Sequence, residues 1–563
     1  MEKYLEHHNL TVVDSGDAIK GRSVHASTKM ERGTIIVTSQ PLGTVTLPSS
    51  TTECCNYCFR KQPNLQRCSR CKKSYFCDMG CFQNAWLSYH QYVCTSSTAT
   101  PPTSPPKGTN DTADTMDLEM LERVALNVGR HNKRMEKQQG KGDPESGNEE
   151  TVNVTMDAFF SLMGHTQPPR VQQKFESIAA EALKKEYIQQ TGLTSKELVH
   201  YLTVFKSNNF SIDDKEMFAI GEGTYPIASL FNHSCRPNAV VMFDGALAEI
   251  HAIENIESGT EITISYVDAA HALQERQSTL NEKYFFKCKC KRCTGSYLTM
   301  IDTLLGEEEG VTWSSRAQQL LSSEKKDDQR TRLLKEVEEW DLLEMCRLYD
   351  RNNDSYPDKT SPLTIANYTH YFIQLFAPYL VTCENHALHT ATSSQANALS
   401  SFDDPLPSLA RPAVQPTYDL ILETAMKEML EYPTDPENVI IPSRLSTLSP
   451  CPRLFYDEMG DGHWRNAVKL GMYVLIQYCL IYPPYHPMLA QHFLILAKAC
   501  WNSIIQSELL NDGQRLEKVY ERGVRRWILL SKETIAVSFG KHSSLWRETL
   551  ELEWLFLREQ KLK

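Results

Sequence analysis

Eight metal-ligating residues between positions 55 and 94 constrain this chain more than any other feature. They form four close pairs: Cys55-x2-Cys58, Cys68-x2-Cys71, Cys77-x3-Cys81 and His90-x3-Cys94. Closed structural zinc sites use four Cys or His ligands, so eight ligands suit two zinc ions. The first and third pairs are expected to share one ion, and the second and fourth pairs the other. Disulfides are the alternative, but close pairs that end in His-x3-Cys favour metal.

The spacing of these pairs resembles a MYND zinc finger. Two later sequences also stand out, Asn232-His233-Ser234-Cys235-x-Pro237-Asn238 and the stretch from Glu261 to Tyr266, and Cys288-x-Cys290-x2-Cys293 follows them. Each could be an ordinary turn or strand end if it stood alone. Together they resemble the SET domain of protein lysine methyltransferases. A SET domain that is split by a MYND finger and followed by a cysteine-rich tail is the layout of the SET-and-MYND (SMYD) family.

Composition narrows the class of protein. The chain has 563 residues, 41% of them hydrophobic, and a formal net charge of −11, which argues against a surface that binds nucleic acid throughout. The polar, acidic N-terminus does not resemble a signal peptide, and no run of 18 apolar residues predicts a membrane span. Of the 17 cysteines, six are scattered, as is typical of reduced thiols. We therefore expect a cytoplasmic or nuclear protein without membrane contact.

The resemblance implies an α+β multidomain fold. It comprises a β-rich SET domain split by the finger, a post-SET zinc tail and an all-α, TPR-like helical C-terminal domain. The expected boundaries are an N-terminal SET part at 1–50, the finger at 51–94, a linker with one helix and mobile loops at 95–150, a helical SET insertion at 151–205, the C-terminal SET core at 206–270, the post-SET tail at 271–296 and the helical domain at 297–563.

The resemblance also implies a site for S-adenosylmethionine. Asn232 and His233 match the family's cofactor contacts, Asn208 and Ser229 align with further ones, and Phe286 matches an aromatic residue against the adenine. His165 is a candidate neighbour of the adenine, and a surface histidine is the alternative. The loop Lys20-Gly21-Arg22-Ser23 stands where the family has Gly-x-Gly. Serine replaces the second glycine, and glycines there let the backbone approach a ligand closely.

Lysine methylation requires a neutral amine aligned with the sulfonium methyl group. A lysine with a pKa of about 10.4 loses its proton more readily in an apolar channel, because burial disfavours the charged form. By resemblance, Tyr266 orients the methyl group and the amine, while Tyr284 and Phe210 line the channel. Core packing is the alternative for Phe210. Alignment and exclusion of water are the main requirements of such a reaction.

The tail requires a fourth ligand to close a third zinc site. Cys288, Cys290 and Cys293 supply three, and by family resemblance Cys235 supplies the fourth. The chain is then expected to hold three zinc ions in all. Loss of this metal should disturb the active site itself, because metal binding is coupled to local folding.

The predicted function is transfer of a methyl group from S-adenosylmethionine to lysine in a protein substrate, histone or non-histone. The alternatives are a zinc-stapled SET scaffold without turnover and a transcriptional co-regulator that acts through the finger. A proline-containing peptide is a candidate partner of the finger. Phe82, where the family often has Gln, argues against it, whereas Trp86 is kept. The basic residues of the finger make nucleic acid a less favoured partner, and a monomer is expected.

Overall fold

A computed structural model describes residues 1–14, 21–94, 111–138, 147–215, 217–294, 451–509 and 514–562, with short gaps at 465–466, 469–470, 472–473, 476–477, 479–480 and 484. These residues form two compact units. The first comprises Met1–His233, Asn238–Ile264 and Asn281–Phe286, and the second Ser234–Pro237, Ser265–Leu280 and Lys287–Lys563. Lys20, residues 95–110 and 139–146 of the predicted linker, and residues 295–450 of the predicted helical domain lie outside the described residues.

Short strands build the SET part of the first unit, and two of them, β5 (Gln66–Arg67) and β6 (Tyr75–Phe76), belong to the finger. They are β1 (Leu10–Asp14), β2 (Arg22–Ala26), β3 (Ile35–Ser39), β4 (Gly43–Thr46), β5 (Gln66–Arg67), β6 (Tyr75–Phe76), β7 (Asn209–Asp213), β8 (Ala219–Thr224), β9 (Asn232–His233), β10 (Ala239–Asp244), β11 (Leu247–Ala252) and β12 (Thr263–Ile264). They pair as five small sheets, in the orders β1-β2, β10-β11-β3, β9-β12, β4-β8-β7 and β5-β6.

The sheets join strands from before and after the finger. β3 pairs with β11, and β4 pairs with β8, both antiparallel. The two-residue turn between β10 and β11 places Gly245 at a φ of +63°, as such tight hairpins require. The β-rich regions were predicted from the sequence. However, regular strand in the stretch from Glu261 to Tyr266 is limited to Thr263 and Ile264, and Glu261 instead forms an isolated antiparallel bridge with His25.

Most helices of the first unit lie between residues 79 and 208 of the sequence. Their bounds are α1 (Glu2–His7), α2 (Met79–Ala85), α3 (Gln91–Val93), α4 (Asp111–Gln138), α5 (Gly147–Ser161), α6 (Pro169–Leu183), α7 (Glu186–Gln189) and α8 (Ser195–Asn208). One turn of π-helix, Trp86–His90, connects α2 to α3. In α4, Leu121, Val124, Ala125 and Val128 are buried at helical spacing and form part of the core. A Thr194–Glu197 capping box starts α8, whose last residue is the predicted cofactor contact Asn208.

The described part of the second unit is mainly helical. Its elements are α9 (Leu273–Tyr284), which crosses from one unit to the other, α10 (Lys291–Thr294), α11 (Cys451–Gly460), α12 (Pro487–Leu509), α13 (Gln514–Ser538) and α14 (Ser544–Leu562). By length and composition alone, Pro487–Gln506 could cross a membrane, but 67% of it is buried in the protein. Its burial is that of the central helix of a helical domain.

Candidate active site and zinc centres

A short parallel pair brings the two most distinctive motifs of the chain together. β9 pairs with β12, so that Asn232 lies opposite Thr263 and His233 opposite Ile264. Asn238, from the same motif as Asn232, fixes this pair. Its Oδ1 accepts a hydrogen bond from the Thr263 amide at 2.8 Å, and its Nδ2 donates to the Glu261 carbonyl at 2.9 Å. Asn238 was not among the predicted site residues, although its place in the motif was the available signal.

Asn232 connects this strand pair to the N-terminal loop. Its Nδ2 donates to the Arg22 carbonyl at 2.8 Å and lies 3.0 Å from Glu261 Oε1. The loop it holds has Gly21 at a φ of +61°, a conformation that favours glycine. The Arg22 guanidinium in turn donates to the Ser161 carbonyl at the end of α5. Three predicted cofactor residues of the first unit, Gly21, Arg22 and Asn232, therefore form one connected set.

Ser23 is accommodated in regular backbone. It lies in β2 opposite Val13 and is buried. Its Oγ lies 2.9 Å from His25 Nε2 and 3.2 Å from the Val13 carbonyl. His25 Nδ1 is 2.8 Å from the Gly259 carbonyl and donates to it, so its Nε2 accepts from Ser23. The serine hydroxyl is therefore directed into the strand network.

Aromatic rings surround the residues that follow α5. His165 lies 4.8 Å from Phe285 between ring centroids, and His233 lies 6.0 Å from Phe286. Burial lowers the pKa of His165, which favours its neutral form. A methyl group at Gly21 would contact Met163 at 3.8 Å. Phe285 was not among the predicted residues, yet its exposed ring and its φ of +61° place it beside His165.

Asn208 and Ser229 are joined by a hydrogen bond. Ser229 Oγ lies 3.2 Å from the Asn208 carbonyl and 2.9 Å from the Tyr225 carbonyl, while Asn208 Nδ2 donates to the Val204 carbonyl at 2.7 Å. Phe210, opposite Gly223 in the β7–β8 pair, is half-buried and packs edge-on against Tyr225 at 6.0 Å. Phe210 therefore has a packing partner and also keeps accessible surface.

The two predicted tyrosines occupy ends of elements. Tyr284 is the last residue of α9, half-buried, and the Lys283 ammonium lies 5.0 Å from the centre of its ring. Tyr266 follows β12 by two residues and is also half-buried. In the same segment, Ser265 Oγ donates to the Val267 carbonyl at 2.7 Å.

Two groups of four ligands form in the finger, with the members that were expected to share an ion. Their ligand atoms lie within 4.8 Å of one another, and the groups are Cys55, Cys58, Cys77 and Cys81, then Cys68, Cys71, His90 and Cys94. Sulfur atoms of Cys58 and Cys77 are 3.4 Å apart, and those of Cys68 and Cys94 are 3.7 Å apart. Tetrahedral zinc with bonds of about 2.3 Å separates its ligands by about 3.8 Å, whereas disulfide sulfurs lie about 2.05 Å apart. These groups could hold zinc.

Cys54 shows that adjacent cysteines can differ in chemistry. Its thiol is fully buried and donates to the Ser50 carbonyl at 3.3 Å, and burial raises its pKa to about 12. For its neighbour Cys55, a hydrogen bond with Cys58 lowers the pKa to about 5. Cys55 also lies in the group of four ligand atoms with Cys58, Cys77 and Cys81, whereas Cys54 does not. Cys54 is therefore a core residue and Cys55 a ligand candidate.

The third group lies entirely in the second unit. Cys235, Cys288, Cys290 and Cys293 also place their sulfurs within 4.8 Å of one another, and Cys235 is 3.5 Å from Cys293. The buried Arg276 lies 3.8 Å from the Cys293 sulfur and donates to the His271 carbonyl at 2.6 Å. Such neighbours orient metal ligands and stabilise thiolates. Arg276 was not among the predicted site residues, because its position on α9 gave no signal.

Comparisons with known proteins identify a family model and several relatives that match this chain. A family model described as "SET domain" matches residues 21–267. The chain is 29% identical over 285 residues to histone-lysine N-methyltransferase ASHR1 of Arabidopsis thaliana, which covers 49% of this chain and 53% of that protein. It is 27% identical over 278 residues to N-lysine methyltransferase SMYD2 of Homo sapiens, and the alignment covers 49% of this chain and 58% of that protein.

The chain thus aligns with little more than half the length of these curated relatives. Among solved structures, the SET domain of LSMT bound to lysine and AdoHcy aligns with 60% of this chain and 78% of that one, at 11% identity and a TM-score of 0.27. That superposition is too loose to carry an argument about individual residues.

Proposed function

We propose that this chain, which matches a SET domain model over residues 21–267 and aligns with lysine methyltransferases, is a protein-lysine N-methyltransferase. The observation that carries the proposal is the β9–β12 pair with its Asn232 and Asn238 hydrogen bonds. These contacts fix the strand before Cys235 beside the strand that leads to Tyr266. They also tie both to the loop at Gly21 and Arg22.

In the proposed mechanism, S-adenosylmethionine supplies the methyl group. Gly21, Asn232 and His233 bind its polar parts, and His165, Phe285 and Phe286 provide apolar and aromatic surface for its adenine. The substrate lysine first loses a proton to solvent. Its nitrogen then bonds to the methyl carbon as the carbon–sulfur bond breaks, and S-adenosylhomocysteine leaves. Tyr266 orients the amine and methyl group, and the rings of Phe210 and Tyr284 exclude water.

Three zinc ions belong to the same proposal. Two would stabilise the finger, and the third would hold Cys235 and the residues after Phe286. The finger's own role is proposed to be structural. Phe82 packs among Phe76, Trp86 and His90, with centroids 5.5 to 6.1 Å apart, and so fills the place where a peptide-contacting glutamine is frequent in the family. We place the protein in the cytoplasm or nucleus because its other cysteines include buried free thiols such as Cys54 and Cys500.

Two substitutions test the division of roles. Tyr266→Phe should reduce turnover by about 30- to 1000-fold, the cost of about 2–4 kcal/mol for a lost orienting hydrogen bond, and leave cofactor affinity within about twofold. Asn232→Ala should instead weaken S-adenosylmethionine binding first, because it releases the Arg22 carbonyl. Cofactor affinity is measured by calorimetry and turnover by methyl incorporation into a peptide array followed by a verified substrate.

Unchanged turnover of Tyr266→Phe on that substrate would remove Tyr266 from the mechanism. Tight cofactor binding by the wild-type protein, without methyl transfer to any protein or peptide, would instead favour the scaffold. No binding of S-adenosylmethionine at all would reject the proposed function altogether.

A further inference from the structure

The segment that follows Tyr266 has a buried partner in the C-terminal part of the chain. The Tyr482 hydroxyl donates to Asp268 Oδ1 at 3.0 Å, and both residues belong to the second unit. Tyr482 is only 3% exposed, whereas Asp268 lies at the surface, two residues after Tyr266. A buried tyrosine hydroxyl requires a partner, and this one uses a carboxylate from a segment 214 residues away.

Asp268 organises the segment that it belongs to. The same Oδ1 accepts from the Ala270 amide at 2.8 Å, and the Asp268 carbonyl accepts from the His271 amide at 3.2 Å. One side-chain oxygen therefore receives both a local backbone donor and the distant Tyr482 hydroxyl. An aspartate that bonds to the backbone two residues ahead stabilises a turn. These bonds restrict the backbone from residue 268 to residue 271, a stretch that begins two residues after Tyr266.

Tyr482 is itself held from several sides. Its ring stacks on His486, with centroids 4.5 Å apart and planes at 18°, and meets Tyr478 edge-on at 5.2 Å. The preceding Ile481 carbonyl accepts from Arg292 Nη1 at 3.3 Å. Arg292 is fully buried and stands between the ligands Cys290 and Cys293. Two adjacent residues, Ile481 and Tyr482, thus contact both the segment after Tyr266 and the cysteine-rich tail.

We propose that Tyr482 is a positioning residue for Tyr266, acting through Asp268. This inference deepens the proposed methyltransferase function and rests on it. The rigid aromatic stack sets the place of the hydroxyl, the hydroxyl fixes Asp268, and Asp268 fixes the backbone that carries Tyr266. The C-terminal helical part then contributes to turnover without touching the reacting atoms. A displacement of about 1 Å in such a group can cost about 100-fold in rate, so a partial loosening should cost about 10-fold.

The test uses Tyr482→Phe in the full-length, zinc-loaded protein, because this change keeps the ring and its stacking and removes only the hydroxyl. The expected result is a fall in kcat of about 10-fold, with the KM for S-adenosylmethionine within about twofold of wild type. Tyr478→Phe is the matched control, since it removes the hydroxyl of a buried tyrosine that lies four residues earlier and contacts the Tyr482 ring. It should keep kcat within about twofold.

Two Asp268 variants distinguish a positioning role of Tyr482 from a purely structural one. Asp268→Asn keeps Oδ1 and should retain most of the turnover, whereas Asp268→Ala should behave like Tyr482→Phe. Combining Asp268→Ala with Tyr482→Phe should cost no more than either change alone, because both remove the same hydrogen bond. Wild-type kcat in Tyr482→Phe, or additive losses in the double variant, would overturn the proposal.

Hydrogen exchange separates this inference from the proposed function. In Tyr482→Phe, but not in Tyr478→Phe, the Ala270 amide should exchange at least about tenfold faster, since its acceptor is no longer fixed. If the Ala270 amide exchanges faster in Tyr482→Phe but the wild-type protein transfers no methyl group, the role of Tyr482 in fixing Asp268 is supported and the methyltransferase function is rejected. If the wild-type protein transfers methyl groups but Tyr482→Phe changes neither the exchange of the Ala270 amide nor kcat, the positioning role of Tyr482 is rejected and the methyltransferase function is supported.

Discussion

Ser23 illustrates how a substitution in a ligand-binding loop can be absorbed by its neighbours. The side chain is 2% exposed and its hydroxyl lies within hydrogen-bond distance of His25 and Val13. The positive φ of the loop falls at Gly21 instead. The backbone at residue 23 is regular β-strand, which any residue adopts. The loss of the second glycine of the family's pattern therefore does not by itself argue against cofactor binding.

We expect Ser23→Gly to leave S-adenosylmethionine affinity within about twofold and to lower the free energy of unfolding by about 1–2 kcal/mol. The loss combines a buried hydrogen bond with the greater backbone entropy of glycine in the unfolded chain. Calorimetry measures the affinity and denaturant unfolding the stability. Ser23→Ala is the control that removes the hydroxyl alone. A tenfold gain in affinity for Ser23→Gly would show that serine obstructs the ligand.

Single residues of the site differ in how far they could be predicted from the sequence. The motif around Asn232 was sufficient to nominate it, but not to show that its amide donates to the Arg22 carbonyl, 210 residues earlier in the chain. His165 was nominated without a partner, and Phe285 was missed, because ring contacts between distant segments leave no local pattern. Nearby motifs identify residue types, whereas contacts between distant segments depend on the completed fold.

At the scale of elements, the finger is fixed to the SET sheets through its first ligand loop. A methyl group at Gly221 of β8 would lie 2.3 Å from Phe59, which is buried at a φ of +61°. A methyl group at Gly245, in the β10–β11 turn, would lie 2.4 Å from the Cys58 carbonyl. Arg60 and Lys61 form ion pairs with Asp244 and Asp214 at 2.9 and 2.6 Å. Two of the finger's basic residues therefore face the SET domain.

Gly245→Ala should destabilise the contact between the finger and the SET sheet. We expect a lower Tm and faster zinc release to a chelator, because alanine adds about 1–2 kcal/mol of backbone strain and a clash with Cys58. Gly259→Ala is the matched control. Gly259 also has a positive φ, +81°, but no atom lies within 4 Å of a methyl group there. Zinc release at the same rate in both variants would contradict the proposed contact.

The finger was also the most predictable element. Its ligand pairs are adjacent in sequence, and metal geometry leaves few ways to combine them. By contrast, the contacts of Phe59 with β8 were not predictable, because the left-handed conformation of a phenylalanine has no sequence signal. The one helix that was expected in the linker at 95–150 is α4, which extends from Asp111 to Gln138.

For the whole molecule, the three ligand groups lead to different expectations. We predict close to three zinc ions per chain by elemental analysis, and one fewer in Cys68→Ser and in Cys290→Ser. Cys290→Ser should lose more turnover, because its group includes Cys235, two residues after His233, and Cys288, two residues after Phe286. Loss of a ligand unfolds the segment that the metal holds. Equal losses of turnover in two soluble variants would contradict this assignment.

The division into a β-rich SET part and a helical C-terminal part was predicted from the resemblance to a known family. The described part of the second unit contains the helices α11 to α14, while the region 295–450 leaves the prediction of an all-α, TPR-like domain open. The contact of Tyr482 with Asp268 could not be predicted. The sequence Tyr482-Pro483-Pro484-Tyr485 resembled the family's helical domain, but a long-range hydrogen bond cannot be read from one motif.

The pairing of β3 with β11 and of β4 with β8 has a consequence for biosynthesis. β11 and β8 leave the ribosome roughly 180–210 residues after the strands that they pair with. At about 5–20 residues per second, the early strands wait about 10–40 s for their partners. The finger, whose candidate metal ligands all lie between residues 55 and 94, can acquire metal during this interval, while the edges of β3 and β4 remain open to other nascent chains. The yield of native protein should therefore depend on chaperone supply and on the speed of translation.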